Sequence, residues 1–330
     1  FAGERPRQQE RAPVVHIDPD GFAILFPGQG AQRVGMGREL AAACPEAQAI
    51  FDRASDMLGL DIASLCFHGP AEELNRTSIC QPAILTVSIA ALEAWRAHGD
   101  EEPATAAAGL SLGEYTALVY AGAMTFEDAV VLVRKRGEYM EAAARENPGG
   151  MITLLGLDRE RVNDVLDGAN HHGYLASANY NCPGQIVFSG NHGAIEWVAQ
   201  HARDFGASRA IRLKVSGAFH SRLMEPAAER LAETLTRTPI SQPRGLVIAN
   251  VTAKPVIDAT QIRQLLVEQL TNPVLWEDSM LFLKARGVRR FVEVGPGRVL
   301  TGLLGRIDSS LGTRSIREPG DLAPRDEGDE

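Results

Sequence analysis

Cysteine is scarce in this 330-residue chain, and its spacing argues against two kinds of site. Cys44, Cys66, Cys80 and Cys182 form no C-x-x-C pair, and none has a histidine at the spacing of a metal ligand. We therefore expect buried, reduced thiols and no metal centre. Reduced thiols fit a cytoplasmic location.

Long apolar runs and an N-terminal apolar segment are also missing. No stretch approaches the roughly 18 consecutive apolar residues of a membrane-spanning helix, so we expect no membrane protein. The first residues, FAGERPRQQERAP, have no apolar core of a secretory signal and do not begin with Met. We expect residues 1–21 to be a flexible leader at a processed or trimmed end.

Positive charge is in the minority, with 33 Lys and Arg against 42 Asp and Glu, a net charge of -9. A nucleic-acid-binding protein needs a cationic face, so we exclude general nucleic-acid binding. The ends hold most of the excess: residues 318–330 sum to -5 and residues 1–21 to -1, which leaves about -3 for 22–317. Residues 318–330 have almost nothing to bury and are predicted to be a disordered acidic tail.

The remaining composition is that of a folded protein, with 45% hydrophobic and 23% charged residues. Short apolar runs such as FAILF, residues 22–26, alternate with helical patterns on both sides of residues 149–216. This alternation predicts an α/β large domain formed by residues 22–148 and 217–317.

Residues 149–216 have a pattern of their own. The segments MITLLGL, YLASANY, QIVFSG and RAIRLKV are predicted strands, and residues 158–168 and 194–205 are predicted helices. The resulting order, β-α-β-β-α-β, is that of the ferredoxin-like motif. We therefore predict a ferredoxin-like subdomain inserted into the large domain.

The segment Gly109–Gly113 fits G-x-S-x-G, the pattern of a nucleophile elbow, with Ser111 at its centre. It lies between a short apolar run and a helical pattern, which would place Ser111 at the N-terminus of a helix. There the helix dipole and free N–H groups favour developing negative charge. A structural turn serine without a catalytic role is the alternative.

A serine hydroxyl needs a base to become a nucleophile at neutral pH, and His220 is the histidine best placed by sequence. It follows Gly217-Ala218-Phe219 at a predicted strand-to-helix junction, whereas the other seven histidines fall in loops, at element edges or on exposed helix faces. It comes after Ser111 in chain order, as in α/β-hydrolases, but no acidic triad member is evident between them. A capping or packing role fits the same position.

Arg136 shares a helix face with Met140, four residues later, and lies near Val133. One interpretation is a surface arginine whose aliphatic stem is buried. The other is a bidentate clamp for a substrate carboxylate. The spacing is compatible with both.

Six segments in this order together resemble the malonyl-CoA:acyl carrier protein transacylase family, which includes the acyltransferase domains of fatty-acid and polyketide synthases. They are PGQGAQ (27–32), GLSLGEYTAL (109–118), RGEYM (136–140), GAFHSRLMEPA (217–227), NPVLW (272–276) and EVGPGRVLTGL (293–303). The resemblance covers roughly residues 22–317. It implies an α/β-hydrolase-like large domain, the inserted ferredoxin-like subdomain and a ping-pong acyl transfer from malonyl-CoA to a carrier protein.

The resemblance also implies catalytic roles. Ser111 would form a malonyl-serine ester, and His220 would act first as base and then as acid. A backbone carbonyl, that of Gln269 with Asn250 nearby, would orient the histidine in place of a carboxylate. The oxyanion hole would consist of the backbone N–H groups of Gln29 and of Leu112, the residue after the nucleophile.

Selectivity is implied by three further residues. Arg136 would hold the malonyl carboxylate, so acetyl-CoA should be a poor substrate. Phe219, together with Met140, would limit the acyl group, and a bulky residue at 219 accompanies malonyl over methylmalonyl in related domains. Leu110 departs from the family, whose elbow usually reads Gly-His-Ser, and we expect activity to survive because that histidine is not the base.

The implied partner is an acyl carrier protein with a phosphopantetheine arm; malonyl-CoA is a substrate, and no metal or redox cofactor is implied. We expect a monomer. Because such carrier proteins are acidic, docking would use a basic face. Two clusters are candidates: Lys284, Arg286, Arg289 and Arg290, or Arg203, Arg209, Arg212 and Lys214.

Four alternative functions stay open. An acyltransferase could serve polyketide rather than fatty-acid synthesis. A serine thioesterase or esterase would share the elbow but needs an acidic triad member. A nucleotide-binding module would rest on Gly28-x-Gly30, yet the third glycine stands at 35 and not at 33. A non-catalytic docking protein would tolerate loss of Ser111.

Overall fold

The computed structural model describes residues 21–99 and 103–323. The predicted leader therefore lies outside the described residues except for Gly21, and so do residues 324–330 of the predicted tail. The strands are β1 (Phe22–Phe26), β2 (Ala106–Gly109), β3 (Gly150–Leu155), β4 (Leu175–Cys182), β5 (Gln185–Gly190), β6 (Arg209–Arg212), β7 (Leu246–Ile248), β8 (Arg290–Val294) and β9 (Gly312–Ile316).

The helices of the described chain follow the same order. They are α1 (Arg38–Ala43), α2 (Pro45–Leu58), α3 (Ile62–His68), α4 (Ala71–Leu74), α5 (Thr77–Ala97), α6 (Gly113–Tyr120), α7 (Phe126–Glu146), α8 (Val162–Ala169), α9 (His192–His201), α10 (Glu225–Arg237), α11 (Ala259–Glu268), α12 (Trp276–Ala285) and α13 (Val299–Ile307).

The larger sheet is parallel, with strand order β7-β2-β1-β8-β9. Every residue of β1 and β2 is buried, because helices cover both faces of a parallel sheet and its strands must be apolar throughout. The carboxyl ends of β1 and β2 lie side by side, with Phe26 paired to Gly109. The glycine-rich loop after β1 and the serine turn after β2 therefore meet at one edge of the sheet. The α/β class predicted from the sequence is confirmed.

Helix α5 is the central helix of the core, and 94% of its most apolar window is buried inside the protein. By length and composition it is also the one described helix that could cross a membrane, although its apolar residues are not consecutive. The helix begins at Thr77, and Pro82 lies inside it. Packing on all sides compensates for the hydrogen bond that the proline cannot donate.

The smaller sheet is antiparallel, with order β4-β5-β3-β6. Its elements follow one another as β3, α8, β4, β5, α9 and β6, the β-α-β-β-α-β order predicted from the sequence. Its core includes Ile152 and Phe188, which belong to a cluster separate from that of the larger sheet. Backbone hydrogen bonds between β4 and Val274 join it to the rest of the chain, and a cleft lies between the two sheets.

The predicted disorder of the acidic tail is wrong for residues 318–323. A 3-10 turn spans Pro319–Asp321, and Leu322 is buried. The Arg314 guanidinium donates to the carbonyl oxygens of Asp321 and Ala323, at 2.8 Å each. A buried leucine, the Arg314 contacts and a capping box between Glu318 and Asp321 together order a segment that composition alone describes as solvated.

Candidate active site

Ser111 lies at the turn between β2 and α6, and its backbone has φ 52, the left-handed region that non-glycine residues rarely adopt. The glycines on either side permit the close approach of neighbouring backbone. A Cβ at Gly109 would lie 1.9 Å from the carbonyl carbon of Gly113, and one at Gly113 would lie 2.1 Å from the Phe26 oxygen. Only glycine fits at both positions, so the elbow motif is explained by sterics.

His220 meets Ser111 across 109 residues of sequence. The Ser111 Oγ and His220 Nε2 are 2.9 Å apart, and His220 Nδ1 lies 2.7 Å from the backbone oxygen of Gln269. A carbonyl oxygen can only accept, so Nδ1 carries the proton and Nε2 is free to accept the serine proton. Among the described residues no carboxylate is hydrogen-bonded to His220, and the Gln269 carbonyl occupies the place of a triad acid.

The electrostatics keep this histidine neutral. Burial, together with the positive charge of Arg136, lowers the pKa of His220 to about 4. An imidazole that is unprotonated at neutral pH can act as a general base. His220 also has a strained backbone, with φ 57, which matches the strain at Ser111 and indicates that the surrounding packing holds both residues in place.

Arg136, on α7, is 1% exposed, so the surface interpretation is wrong. Its Nη1 donates to Gln81 Oε1 at 2.7 Å, and its Nη2 donates to Gln269 Oε1 at 2.9 Å and to Ser111 Oγ at 3.2 Å. The guanidinium also lies 5.3 Å from the centre of the Tyr115 ring. No described carboxylate forms a salt bridge with it, and its Nε has no hydrogen-bond partner. A buried cation without a paired anion beside the serine can receive a carboxylate from a ligand.

The proposed oxyanion donors lie on the two loops that meet at the sheet edge. Gln29 is in the loop after β1, and Leu112 directly follows the serine. Neither backbone N–H has a hydrogen-bond acceptor among the described residues. Unpaired N–H groups beside a nucleophile are the donors that a developing oxyanion requires.

Asn250 forms no hydrogen bond with His220, contrary to the expectation that it helps to orient the histidine. Its Oδ1 accepts from the backbone N–H of Ser111 at 2.6 Å, and its Nδ2 donates to the Gly109 oxygen at 2.7 Å. Asn250 therefore fixes the serine turn, and the Gln269 carbonyl takes the histidine-orienting position. The reason is tertiary: Asn250 follows β7, which pairs with β2.

Sequence reasoning missed Glu114, which is 2% exposed in the first turn of α6. Its Oε2 accepts from Gln269 Nε2 at 2.7 Å and from the Asn250 backbone N–H at 3.1 Å. Burial raises the pKa of this carboxyl to about 7. An acid in the first turn of a helix normally complements the helix dipole, so nothing in the sequence distinguished it from a surface residue.

A cavity of about 260 Å³ opens from Ser111 and His220 into the cleft between the two sheets. Met140 and Phe219 line it beside the serine, and the side-chain amides of Asn179, Asn181 and Gln185 line it on the side of the smaller sheet. Apolar residues complete the walls: Leu110, Met151, Val187, Leu213, Val215, Val299 and Leu303. The described residues contain no group of His, Cys, Asp and Glu that could hold a metal ion.

Comparison with known proteins agrees with this geometry. The acyl transferase domain family matches residues 23–309. The malonyl CoA-acyl carrier protein transacylase of Bacillus subtilis is 47% identical over 299 residues, which make up 90% of this chain and 94% of that protein. The polyketide biosynthesis protein ThaF of Burkholderia thailandensis is 43% identical over 303 residues, 92% of this chain and 25% of that longer protein.

A solved structure of a malonyl-transacylase in complex with a type II PKS acyl-carrier protein is 40% identical to this chain, with a TM-score of 0.89. The match covers 92% of this chain and 97% of that chain. Fold, serine turn and sequence agree, and the chain belongs to the acyl transferase domain family, among the malonyl CoA-acyl carrier protein transacylases.

Proposed function

We propose that this protein transfers a malonyl group from malonyl-CoA to the phosphopantetheine thiol of an acyl carrier protein, through a malonyl ester of Ser111. The transfer would supply extender units for fatty-acid synthesis. One observation carries the proposal: a buried guanidinium without a carboxylate partner lies 3.2 Å from the hydroxyl of a serine that is paired with a neutral histidine. A nucleophile beside a carboxylate receptor suits an acyl group that ends in a carboxylate.

The first half-reaction acylates the enzyme. His220 Nε2 takes the proton of Ser111 as Oγ attacks the thioester carbonyl, and the N–H groups of Gln29 and Leu112 stabilise the oxyanion. When the tetrahedral intermediate collapses, the carbon–sulfur bond breaks and the CoA sulfur leaves with the proton from His220. The Gln269 carbonyl stabilises the transient imidazolium because it accepts from Nδ1.

The second half-reaction runs the same steps toward the carrier. His220 accepts the proton of the phosphopantetheine thiol, whose sulfur attacks the ester carbonyl, and the proton then passes to Ser111 Oγ as the ester bond breaks. Asn179, Asn181 and Gln185 line the approach to Ser111, and the Oδ1 of Asn181 is buried without a hydrogen-bond partner. We propose that these amides pair with the amide groups of the arm.

Selectivity follows from the groups around Ser111: Arg136, which lies 3.2 Å from its hydroxyl, and the cavity-lining residues Phe219 and Met140. An acetyl group would leave the Arg136 charge buried and unpaired, which disfavours it strongly. Phe219 and Met140, both buried beside Ser111, limit the space for a substituent on the malonyl carbon. Since one methyl group changes binding by about 1–3 kcal/mol, discrimination against methylmalonyl should be weaker than that against acetyl.

The carrier protein would dock at the mouth of the cleft. Leu213 lines the cleft, and the exposed cations Arg209, Arg212 and Lys214 lie on or beside β6, next to it. In the other candidate cluster Lys284 pairs with Asp308, and Arg289 donates to the Lys284 carbonyl oxygen. Within the β6 cluster Arg212 pairs with Glu196, but Arg209 and Lys214 form no salt bridge with a described residue. Because this cluster also lies next to the cleft, it is the better docking face for an acidic carrier.

Charge reversal tests this docking face. Lys214→Glu should raise the KM for the carrier protein, most strongly at low salt, and should leave serine acylation by malonyl-CoA unchanged. Lys254→Glu, also on the surface but away from the cleft lining, is the matched control. An equal effect of both variants on the carrier step would argue against this face.

We also propose the finer assignments that accompany this function. The larger unit, residues 22–148 and 217–317, is α/β-hydrolase-like, and residues 149–216 form a ferredoxin-like subdomain. The protein acts as a monomer in the cytoplasm and needs no cofactor. Its four unpaired cysteines are compatible with a reducing compartment.

Intact mass spectrometry tests the proposed reaction directly. Mixing with malonyl-CoA should add one malonyl group to the protein, and Ser111→Ala should abolish the adduct. Parallel incubations with methylmalonyl-CoA and acetyl-CoA rank the acyl groups. An adduct that persists in Ser111→Ala, or a wild-type protein that acetyl-CoA labels faster than malonyl-CoA, would refute the proposal.

A second candidate is malonyl transfer to the carrier protein of a polyketide synthase, favoured by the similarity to the complex with a type II PKS acyl-carrier protein. The chemistry is the same, so rates with purified carrier proteins of both types distinguish the two. A serine thioesterase has less support, because no described carboxylate contacts His220 and hydrolysis does not require Arg136.

A further inference from the structure

Glu114 is buried behind the reacting groups, and the acyl transfer described above gives it no role. Among the described residues one other carboxylate, that of Glu293, is as deeply buried, and it accepts backbone N–H bonds from Leu300 and Thr301 at the start of α13. Burial of a carboxylate is costly unless hydrogen bonds replace its hydration. The hydrogen bonds of Glu114 therefore indicate its purpose.

Glu114, together with the backbone oxygen of Ser111, holds the donor end of the Gln269 side chain: Nε2 lies 2.7 Å from Glu114 Oε2 and 3.1 Å from the Ser111 oxygen. A side-chain amide has a donor end and an acceptor end. The acceptor end, Oε1, lies 2.9 Å from Arg136 Nη2. Glu114 Oε2 accepts from both Gln269 Nε2 and the Asn250 backbone N–H, so it is the acceptor atom of this group; it holds the donor end of the amide and leaves the acceptor end for Arg136.

The opposite orientation would be unfavourable for the site. With the amide reversed, the Gln269 NH₂ group would face the Arg136 guanidinium, two donors against each other, and the arginine would have to move. Arg136 lies 3.2 Å from Ser111 Oγ, so any displacement changes where an acyl carboxylate binds relative to the nucleophile. Glu114 also accepts from the Asn250 backbone, and Asn250 in turn fixes the backbone of Ser111.

We propose that Glu114 is a positioning residue for acyl transfer, which fixes the orientation of the Gln269 amide and thereby holds Arg136 where it receives the acyl carboxylate. This role rests on the proposed malonyl transfer and deepens it. Glu114 touches neither substrate nor the reacting atoms. Its effect should appear in the selectivity between acyl groups with and without a carboxylate.

The test compares kcat/KM of serine acylation by malonyl-CoA and by acetyl-CoA. Glu114→Ala removes the acceptor and should lower the malonyl-to-acetyl ratio by about 5- to 150-fold, the equivalent of one unsatisfied buried group. Glu114→Gln presents an amide oxygen to the same two donors and should keep the ratio within about threefold of wild type. Glu293→Ala, the matched control, removes an equally buried carboxylate and should lower thermal stability without changing the ratio.

A merely structural role predicts a different pattern. If Glu114→Ala lowers both acylation rates equally, or if Glu293→Ala shifts the ratio as much, the proposal is overturned. Should Glu114→Ala not fold, Gln269→Met removes the side-chain amide but keeps the backbone carbonyl that accepts from His220. An unchanged malonyl-to-acetyl ratio in Gln269→Met would also overturn the proposal. A wild-type protein that malonyl-CoA does not label would overturn the proposed function as well.

Discussion

Replacing Arg136 by alanine should reverse the acyl preference of the enzyme. In the proposed function, an acetyl group would leave the buried charge of Arg136 unpaired in the wild type, whereas a malonyl carboxylate would pair with it. Removing one partner from a buried charge pair costs about 2–5 kcal/mol. At 1.36 kcal/mol per factor of ten, the wild type should prefer malonyl-CoA over acetyl-CoA by about 30- to 5,000-fold in kcat/KM.

In Arg136→Ala the malonyl carboxylate enters a cavity without a cation and must itself be buried unpaired. The kcat/KM for malonyl-CoA should therefore fall by a factor within the same range, while that for acetyl-CoA should rise, since its methyl group no longer faces a charge. The variant also frees the Oε1 atoms of Gln81 and Gln269. Thermal unfolding of the variant should accordingly be checked before its kinetics are interpreted.

The assay is the rate of adduct formation on Ser111, measured by intact mass for each acyl-CoA. Arg134→Ala is the matched control on the same helix, because Arg134 forms only a partly exposed salt bridge with Glu138, worth about 0–1 kcal/mol. Its malonyl-to-acetyl ratio should equal that of wild type. An equal loss of both reactivities in Arg136→Ala would show that the arginine supports the fold or the serine and does not recognise the carboxylate.

Three other predictions concern the base, the elbow and the residue before the nucleophile. Because the pKa of His220 is lowered to about 4, the base is unprotonated above that value, and acylation should fall only as the pH drops through about 4; a midpoint near 6.5 would contradict this. Gly113→Ala should abolish activity and destabilise the fold, since the new Cβ would lie 2.1 Å from the Phe26 oxygen. Gly302→Ala is the control: no atom lies within 4 Å of its Cβ, so it should leave the thermal unfolding temperature unchanged or raise it slightly. The wild type, with Leu110, should transfer malonyl groups. An inactive wild type that becomes active in Leu110→His would refute that expectation.

Much of the fold was predictable because its signals are local. The fully buried strand FAILF, the β-α-β-β-α-β order of the insertion and the glycines of the elbow each follow from periodicity or from sterics within a few residues. The prediction was wrong where a distant contact decides. Residues 318–323 were predicted to be disordered, but the Arg314 guanidinium binds the carbonyl groups of Asp321 and Ala323.

In the candidate site, too, local signals identified some residues and distant contacts decided the others. Ser111 and His220 could be selected from the sequence because a nucleophile and a base have few chemical alternatives, and the structure places them 2.9 Å apart. The burial of Arg136 could not be predicted, since the same helical spacing fits a surface arginine. Asn250 and Glu114 were misread or missed because their partners lie 136 to 155 residues away in the chain.

The sequence by itself therefore determined the class of the protein, its ordered motifs and the candidates for the reacting side chains, all of which depend on residue type and short spacing. Only the tertiary structure decided that the histidine is hydrogen-bonded to a carbonyl, that the arginine is buried without a salt bridge to a described carboxylate, and that Gln269 connects both to Glu114. The physical reason is that charge, pKa and hydrogen-bond direction depend on burial and on neighbours, and packing brings those neighbours from distant parts of the chain.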